Sequence, residues 1–222
     1  MSIASGLRGR RLARRLVQLY AGLALYGFSS ILLLRSGLGL EPWNVLHQGI
    51  AGRTGLSIGL VTTVLGALIL LAWIPIRQRP GLGTVSNVLV IGLAMDLSLA
   101  VLPPAQGPAA RIAAMAAGIV LNGMATGLYI AARFGPGPRD GLMTGLHRLT
   151  GRSVRLVRTG IEVTVVATGF LLGGSVGVGT VLYALAIGPL AQVFLRLFAV
   201  PEPAGVSTVV ASGTPEQAIL RR

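Results

Sequence analysis

The stretch Gly81-Leu-Gly-Thr-Val85 recurs 96 residues later as Gly177-Val-Gly-Thr-Val181. Thr54-Gly-Leu-Ser57 recurs at the same offset as Thr150-Gly-Arg-Ser153. Agreement of Gly, Thr and Ser in the same order across separate blocks indicates an internal duplication. The predicted organisation is a basic tail over residues 1–15, a first membrane repeat over 16–104, a second over 110–200 and a poorly ordered tail over 201–222.

The amino-acid composition is that of a membrane protein. Of 222 residues, 53% are hydrophobic and only 11% are charged, whereas a soluble domain carries about 25% charged residues. This argues against an ordinary soluble enzyme. The chain has no Cys, which excludes disulfides, thiolate metal sites and a Cys nucleophile.

Six apolar runs approach the length of about 20 residues that a membrane-spanning helix needs. They are Val17–Leu34, Ile58–Ile76, Thr84–Leu102, Ile112–Ala132, Thr159–Leu172 and Val181–Val200. The predicted fold class is therefore an all-α, polytopic membrane helix bundle with six transmembrane helices. Each repeat holds three spans, an odd number, so the second copy enters the bilayer from the opposite side. The two units are thus predicted to form an inverted repeat.

The basic residues set the predicted orientation. The net charge of +13 comes from nineteen Arg residues and no Lys. With the N-terminus inside, only Arg35, Arg53 and Arg111 fall on the outer side, as the positive-inside rule requires. We therefore predict a bacterial cytoplasmic (inner) membrane protein with both termini in the cytoplasm. The inner Arg residues then face anionic lipid headgroups rather than nucleic acid.

Two long connections share a pattern of glycines, a proline and a carboxylate. Gly37-x-Gly39 matches Gly135-x-Gly137 at an offset of 98, which predicts a compensating two-residue shift within each half. The proline that follows presets a first helical turn, and Glu41 or Asp140 suits a helix N-terminus. We predict two short re-entrant helices of about 10–12 residues, because irregular backbone at membrane depth must be buried or line a cavity.

These blocks together resemble a known family. GLGLEPWNVL and GPGPRDGLMTGL, joined to the TGxS and GxGTV blocks, are similar to the YczE/YyaS/YitT-like family of bacterial integral membrane proteins over roughly residues 15–200. The resemblance implies a polytopic inner-membrane protein and supplies no catalytic residue.

Polar residues in or beside the spans are the candidates for a central cavity, because charged groups are costly in a bilayer and face an interior. The predicted cavity residues are Glu41, Trp43, Asn44, Asp96, Asn122, Arg139, Asp140 and Gln192. The predicted backbone-shaping residues are Gly37, Gly39, Pro42, Gly81, Gly83, Gly135, Gly137, Pro138, Gly177 and Gly179.

Several of these candidates also have a structural interpretation. Glu41 and Asp140 can cap their short helices. Asp96 can be a packing residue paired with an Arg or with Asn122. Arg139 can bind an anionic group or follow the positive-inside rule.

Other polar residues are predicted to be structural. Glu162 is expected to form a salt bridge with Arg158 or Arg155, and Ser57 and Ser153 are expected to be helix N-caps.

Two functions are compatible with these observations. The first is a small-solute transporter that works by alternating access between two inverted repeats, and the second is a non-transporting membrane scaffold or accessory subunit. No enzymatic activity is expected, because no HExxH or Ser-Lys pairing occurs. No cofactor is predicted, and no metal either, since His47 and His147 lack a third ligand and are expected to be interfacial. The predicted partners are the lipid bilayer and an unidentified small solute, with a homo-oligomer as a further option.

Overall fold

The computed structural model describes residues 3–199, with side chains from residue 12 onward, and its regular structure is entirely helical. The helices are α1 (Ile3–Ser36), α2 (Pro42–Thr54), α3 (Ile58–Ala72), α4 (Leu82–Val101), α5 (Gly107–Ala131), α6 (Pro138–Thr150), α7 (Val154–Leu171) and α8 (Val178–Phe198). The predicted all-helical class is confirmed, and the two short helices predicted in the long connections are α2 and α6. The predicted tail over 201–222 lies outside the described residues.

The last four helices repeat the order of the first four. Helices α6, α7 and α8 begin 96 residues after α2, α3 and α4. Backbone positions with positive φ recur at the same offset: Gly37 (62°) with Arg133 (55°), Gly39 (119°) with Gly135 (119°), Gly55 (73°) with Gly151 (66°), and Arg77 (53°) with Gly173 (98°). The predicted shift to an offset of 98 is therefore wrong, because the backbone equivalent of Gly39 is Gly135 and not Gly137.

In the part of the chain that the structure describes, four helices are long and apolar enough to cross a membrane: α1 from Leu12 onward, α4, α5 and α8. Helices α2 and α3 make a fifth candidate when they are taken as one span bent by 115°. The predicted number of six is not reached by length and composition in the described chain. Helix α7, which contains the fifth predicted run, has 18 residues and carries Arg155, Arg158 and Glu162.

Helices α1 and α5 pack against each other, with α4 on α1 and α8 on α5. Glycines permit the close approach. A Cβ on Gly27 would lie 2.8 Å from Ile91 O on α4, and one on Gly123 would lie 2.7 Å from Leu190 Cβ on α8. Small residues at helix contacts let backbones approach within a membrane, where packing rather than the hydrophobic effect drives association.

The long connection of each half lies against the beginning of a helix from the other half. The Gly83 N–H donates to Phe134 O at 2.8 Å, and the Gly179 N–H donates to Leu38 O at 2.8 Å. These N–H groups belong to the first turns of α4 and α8, where no carbonyl of the same helix is available. Each half therefore completes the hydrogen bonding of the other.

Two Arg side chains close the C-terminal ends of α5 and α1 in the same reciprocal way. Arg15 donates to Ala132 O at 2.9 Å and to the next carbonyl at 3.1 Å. Arg111, 96 residues later, donates to Ser36 O at 2.8 Å and to Gly37 O at 2.7 Å. A cationic donor at this end satisfies orphan carbonyls and complements the helix dipole. Arg111, one of the three Arg residues predicted outside, thus has a structural role.

The two halves differ in how their third helix packs. Helix α3 lies on α4, where a Cβ on Gly92 would come within 2.1 Å of Thr63 Oγ1. The equivalent of Gly92 is Gly188 on α8, where an added Cβ would meet nothing within 4 Å. Helix α7 packs instead on α2, where a Cβ on Gly49 would be 2.6 Å from Gly169 O. The equivalent helix faces are therefore covered in one half and open in the other.

Trp73 sets the spacing between α3 and α6, the helix pair that is equivalent to α7 and α2. Its side chain is 1% exposed, and the indole N–H donates to Pro138 O at 3.0 Å. A Cβ on Gly141 of α6 would come within 2.0 Å of the indole ring. The equivalent of Trp73 is Gly169, so α2 and α7 meet backbone to backbone, whereas an indole separates α3 from α6.

The predicted local contacts on α3 and α7 are present. Ser57 and Ser153 are N-caps, and each hydroxyl accepts an N–H from the first turn of its helix. The predicted salt bridge joins Arg158 Nε to Glu162 Oε1 at 2.8 Å, one helical turn apart.

Candidate functional site

The N-terminal ends of α2 and α6 meet in the interior of the bundle. Trp43 of α2 and Arg139 of α6 are equivalent at the offset of 96. The Arg139 guanidinium carbon lies 4.8 Å from the centre of the Trp43 ring, a favourable position for a cation over an indole face. Equivalent residues that touch each other lie where the two halves join, so this contact marks the centre of the molecule.

Glu41 is buried beside this contact, with 2% of its surface exposed. It is the N-cap residue of α2, but its side chain makes no capping hydrogen bond. Tyr26 O–H donates to Oε2 at 3.1 Å, Ser30 O–H donates to Oε1 at 3.0 Å, and the Asn44 amide N–H donates to Oε1 as well. A carboxylate only accepts hydrogen bonds, so all three donors suit it. Glu41 thus ties α2 to α1 rather than capping α2.

A directed chain of hydrogen bonds connects Arg139 to Glu41. Arg139 Nη2 lies 3.5 Å from His47 Nε2, and a guanidinium only donates, so Nε2 is the acceptor and the imidazole proton is on Nδ1. Nδ1 in turn lies 2.9 Å from the Asn44 side-chain oxygen and 2.9 Å from the Thr62 hydroxyl. The Asn44 amide N–H donates a hydrogen bond to Glu41. A neutral His47 with its proton on Nδ1 satisfies all of these contacts.

Asp140 lies in the first turn of α6 and is exposed to the interior cavity. Tyr129 O–H donates to its Oδ2 at 3.1 Å. The Tyr129 ring meets Tyr26 edge to face, with centroids 6.5 Å apart and planes at 73°. Two contacting tyrosines from α1 and α5 therefore each donate to one carboxylate, Tyr26 to Glu41 and Tyr129 to Asp140.

A cavity of about 90 Å³ lies between α3, α4 and α6. Its polar lining consists of Tyr26, His47, Thr62, Asn87, Tyr129, Arg139 and Asp140, and its apolar lining includes Ile69, Val88 and Ile91. Apolar walls with a few convergent polar groups are typical of small-molecule sites. No group of three metal-ligating side chains forms among the residues whose side chains are described.

A wider depression of about 620 Å³ lies between α6 and α7. Arg152 is its one charged lining residue, and the remainder is mostly aliphatic, including Leu146 and Ile161. It lacks the converging polar groups of the interior cavity, which is therefore the candidate site.

The predicted cavity residues divide by position. Arg139 and Asp140 line the cavity. Trp43 contacts Arg139, and Glu41 and Asn44 lie behind it in the hydrogen-bond chain. These five come together at the helix N-termini.

Asn122 is fully buried where α5 meets α1 and α8, and it does not line the cavity. Its amide N–H donates to Ser29 Oγ at 3.0 Å, and its oxygen accepts from Tyr183 O–H at 2.8 Å. These contacts join α5 to α1 and α8, the interhelical bonding that polar groups provide in membranes.

Asp96 and Gln192, equivalent at the offset of 96, both lie away from the cavity. Asp96 accepts from Ser57 O–H at 2.6 Å and from the Gly59 N–H at 2.9 Å, and so secures the beginning of α3 on α4. The partners predicted for it, an Arg or Asn122, are replaced by these two groups. Gln192 is exposed on α8.

The predicted backbone-shaping residues all lie in the two connections or in adjoining helix ends. Pro42 and Pro138 begin α2 and α6, and Gly137 is the N-cap of α6. The others are Gly37, Gly39 and Gly135, which have positive φ, and Gly81, Gly83, Gly177 and Gly179, where an added Cβ would come within 3.1 Å of the opposite connection.

Five polar residues of the cavity lining were not predicted from the sequence as cavity residues: Tyr26, His47, Thr62, Asn87 and Tyr129. The prediction of an interfacial His47 is wrong, since the side chain is 1% exposed. Two signals were available. His47 follows Asn44 by three residues and so shares its helix face, and the two tyrosines are hydroxyl-bearing residues inside apolar runs.

Comparison with known proteins agrees with the resemblance seen in the sequence. Residues 13–196 match the family described as "Family of unknown function (DUF6198)". An uncharacterized protein of Haemophilus influenzae is 41% identical over 177 residues, covering 80% of this chain and 81% of that protein. The uncharacterized membrane protein YczE of Bacillus subtilis is 33% identical over 171 residues, covering 76% and 80%. The uncharacterized protein YyaS of the same organism is 25% identical over 180 residues, covering 79% and 90%. No solved structure matches the chain.

Proposed function

The chain belongs to DUF6198, a family of unknown function, and we propose that it transports a small solute across the membrane. It is an integral membrane protein in contact with the lipid bilayer, with four or five helices able to span it and a relative that is itself named a membrane protein. One observation carries the proposal: a polar cavity lies where the first turns of two equivalent short helices meet inside an apolar bundle. Transport needs no chemical change of the solute, so neither catalysis nor a cofactor is part of the proposal.

The proposed arrangement has six crossings, with α2–α3 and α6–α7 each forming one bent span. The common offset of 96 supports treating the two pairs alike. Three crossings in each half then place the halves in opposite orientations, as in many secondary transporters. The reciprocal Arg15 and Arg111 contacts suit this arrangement, because each closes a helix end at the opposite face of the membrane.

The orientation can be tested with single Cys substitutions, since the native chain has no Cys. If both termini lie in the cytoplasm, Cys at the exposed positions Gln106 and Ser175 should react with a membrane-impermeant maleimide on intact cells. Cys at the exposed position Arg79 should react only after the membrane is permeabilised. Labelling of all three on intact cells would contradict the inverted arrangement, and the reverse pattern would contradict the orientation with both termini in the cytoplasm.

The difference between the two halves suits alternating access. In inverted-repeat transporters the two halves adopt different arrangements, and their exchange moves the opening from one face to the other. Here α3 covers the Gly92 face of α4, while the Gly188 face of α8 is open. In the second state α7 would lie on α8 as α3 lies on α4. Ser153 and Gln192 would then come together as Ser57 and Asp96 do.

Gly188→Leu tests this second state. The added side chain meets open space in the described state, so the melting temperature should change little. If α7 docks on α8, the leucine blocks the contact, and we expect the uptake rate to fall at least about tenfold, the effect of about 1.4 kcal/mol on the docked state.

Gly52→Leu is the matched control for Gly188→Leu. Gly52 is exposed and, like Gly188, has open space around its Cβ position, and its equivalent is the large residue Arg148. Uptake should therefore be unchanged. Full uptake by Gly188→Leu would show that α7 does not dock on this face.

Transport itself is tested by uptake into proteoliposomes that contain the purified protein and are offered a panel of labelled amino acids, organic acids and amines. Saturable uptake that is lost in Arg139→Gln and retained in Arg79→Gln supports a transporter. Absence of uptake across the panel, with a partner protein that co-purifies in fixed ratio, favours the alternative of a scaffold or accessory subunit. Self-association is a separate proposal, which the particle mass in detergent decides.

A further inference from the structure

Two opposite charges line the central cavity without forming a salt bridge with each other. Arg139 and Asp140 are adjacent on α6 and both contribute to the cavity wall. The only salt bridge among the described side chains that joins Arg or His to a carboxylate within 4.0 Å is Arg158–Glu162 on α7. The cavity therefore offers a separate positive and a separate negative group.

Both groups retain unused bonding capacity. Arg139 contacts Nε2 of His47, at the long distance of 3.5 Å, and the face of the Trp43 ring. A guanidinium has five N–H donors and no acceptor. Asp140 accepts from Tyr129 O–H and from the backbone of Gly137, and a carboxylate has about four acceptor positions. Each group can bind a complementary charge directly.

A solute with a single charge would be attracted by one of these groups and repelled by the other. A solute that carries both charges on one small skeleton can satisfy both at once. We propose that the cavity binds a small zwitterion, with its carboxylate on Arg139 and its ammonium group on Asp140. The inference rests on the proposed transport function and specifies the class of its substrate.

The size of the cavity limits the zwitterion to a few atoms. A dry cavity of about 150 Å³ holds benzene, which has six carbon atoms. In the same proportion, the central cavity, at about 90 Å³, encloses about four non-hydrogen atoms, and because it is partly open a slightly larger solute can extend into its opening. Glycine and alanine, with five and six non-hydrogen atoms, are the amino acids nearest to this size, and both meet the charge requirement.

Three related probes test the two charges one at a time, because two of them are alanine with one charged group removed. L-alanine carries both groups, propionate lacks the ammonium group and ethylamine lacks the carboxylate. Binding to the purified full-length protein in detergent is measured by isothermal titration calorimetry. We expect L-alanine to bind at least about tenfold more tightly than either of the other probes.

Two variants assign each charge to its partner. Arg139→Gln should weaken the binding of L-alanine and propionate at least about tenfold and leave that of ethylamine unchanged. Asp140→Asn should bring L-alanine to the affinity of propionate. Arg148→Gln, on the exposed end of α6, and Glu162→Gln, on α7, are the matched controls and should bind all three probes as the native protein does. Melting temperatures identify any variant that has lost its fold.

The possible results separate the substrate class from the transport function. Propionate or ethylamine binding as tightly as L-alanine overturns the zwitterion proposal, and so does the absence of binding by all three probes. If uptake of another solute persists in that case, the protein is still a transporter. If L-alanine binds as expected but no solute is taken up by proteoliposomes, the zwitterion site stands and transport is overturned.

Discussion

Glu41→Gln should destabilise the protein strongly, whereas Asp140→Asn should leave it folded and without uptake activity. Glu41 is buried and accepts from three side-chain donors, Tyr26, Ser30 and Asn44. An amide in its place turns one acceptor into an N–H₂ donor that faces another donor. Weaker hydrogen bonds plus one unsatisfied buried group cost about 3 kcal/mol. The melting temperature in detergent should therefore fall by roughly 6–12 °C, at the 2–4 °C per kcal/mol expected for chains of this length.

Asp140 differs because it faces the cavity and accepts from a single side chain, Tyr129. The amide oxygen of Asn can retain that bond, so the stability change should stay within about 1 kcal/mol. The negative charge is lost, and uptake should fall to background. Glu162→Gln breaks only a partly exposed pair, worth about 0.3–0.5 kcal/mol, and is the control. Equal melting temperatures for Glu41→Gln and the native protein would refute the anchoring role of Glu41.

The architecture was readable from the sequence because it depends on features with simple periodicity. Apolar runs, the repeat at 96 residues and the Gly-Pro connections correspond to the long helices, the repeated helix order and the two short helices. The error in offset has a physical origin. Gly39 and Gly135 share a φ of 119° that favours glycine. Gly137 is in an extended conformation, so it resembles Gly39 in residue type but not in backbone conformation.

The site was less readable because equivalent positions carry different chemistry. Arg139 occupies the place of Trp43, and Asp140 that of Asn44, so the repeat gives no pair of like charges to search for. Sequence spacing also does not show which helices α3 and α7 contact. That depends on Trp73 and its equivalent Gly169, whose difference in volume separates one pair of helices and brings the other together.

Gly39→Ala is expected to have the largest effect on folding of any single methyl group added to the connections. The residue has a φ of +119°, which L side chains rarely adopt, and strain of this kind costs about 1–3 kcal/mol. A Cβ would also lie 2.7 Å from Thr180 Oγ1 and 2.8 Å from Gly177 N, at the beginning of α8. Forced displacement of packed groups costs about a further 1–3 kcal/mol. We expect little monodisperse protein after detergent extraction, and a strongly lowered melting temperature for what remains.

Substitutions at two other glycines distinguish the cost of backbone strain from the cost of steric overlap at the added Cβ. Gly107 has a φ of +79° but open space around its Cβ position, so Gly107→Ala should show the strain alone. Gly52 lies in α2 with open space and no positive φ, so Gly52→Ala should be neutral or stabilising by up to about 1 kcal/mol. Stability should rank Gly52→Ala above Gly107→Ala, and Gly107→Ala above Gly39→Ala. Gly135 is the equivalent of Gly39, and a Cβ added there would lie 2.9 Å from Thr84 Oγ1. Gly135→Ala should therefore lower the stability about as much as Gly39→Ala does. If it instead behaved like Gly107→Ala, the two connections would not hold the two halves together in the same way.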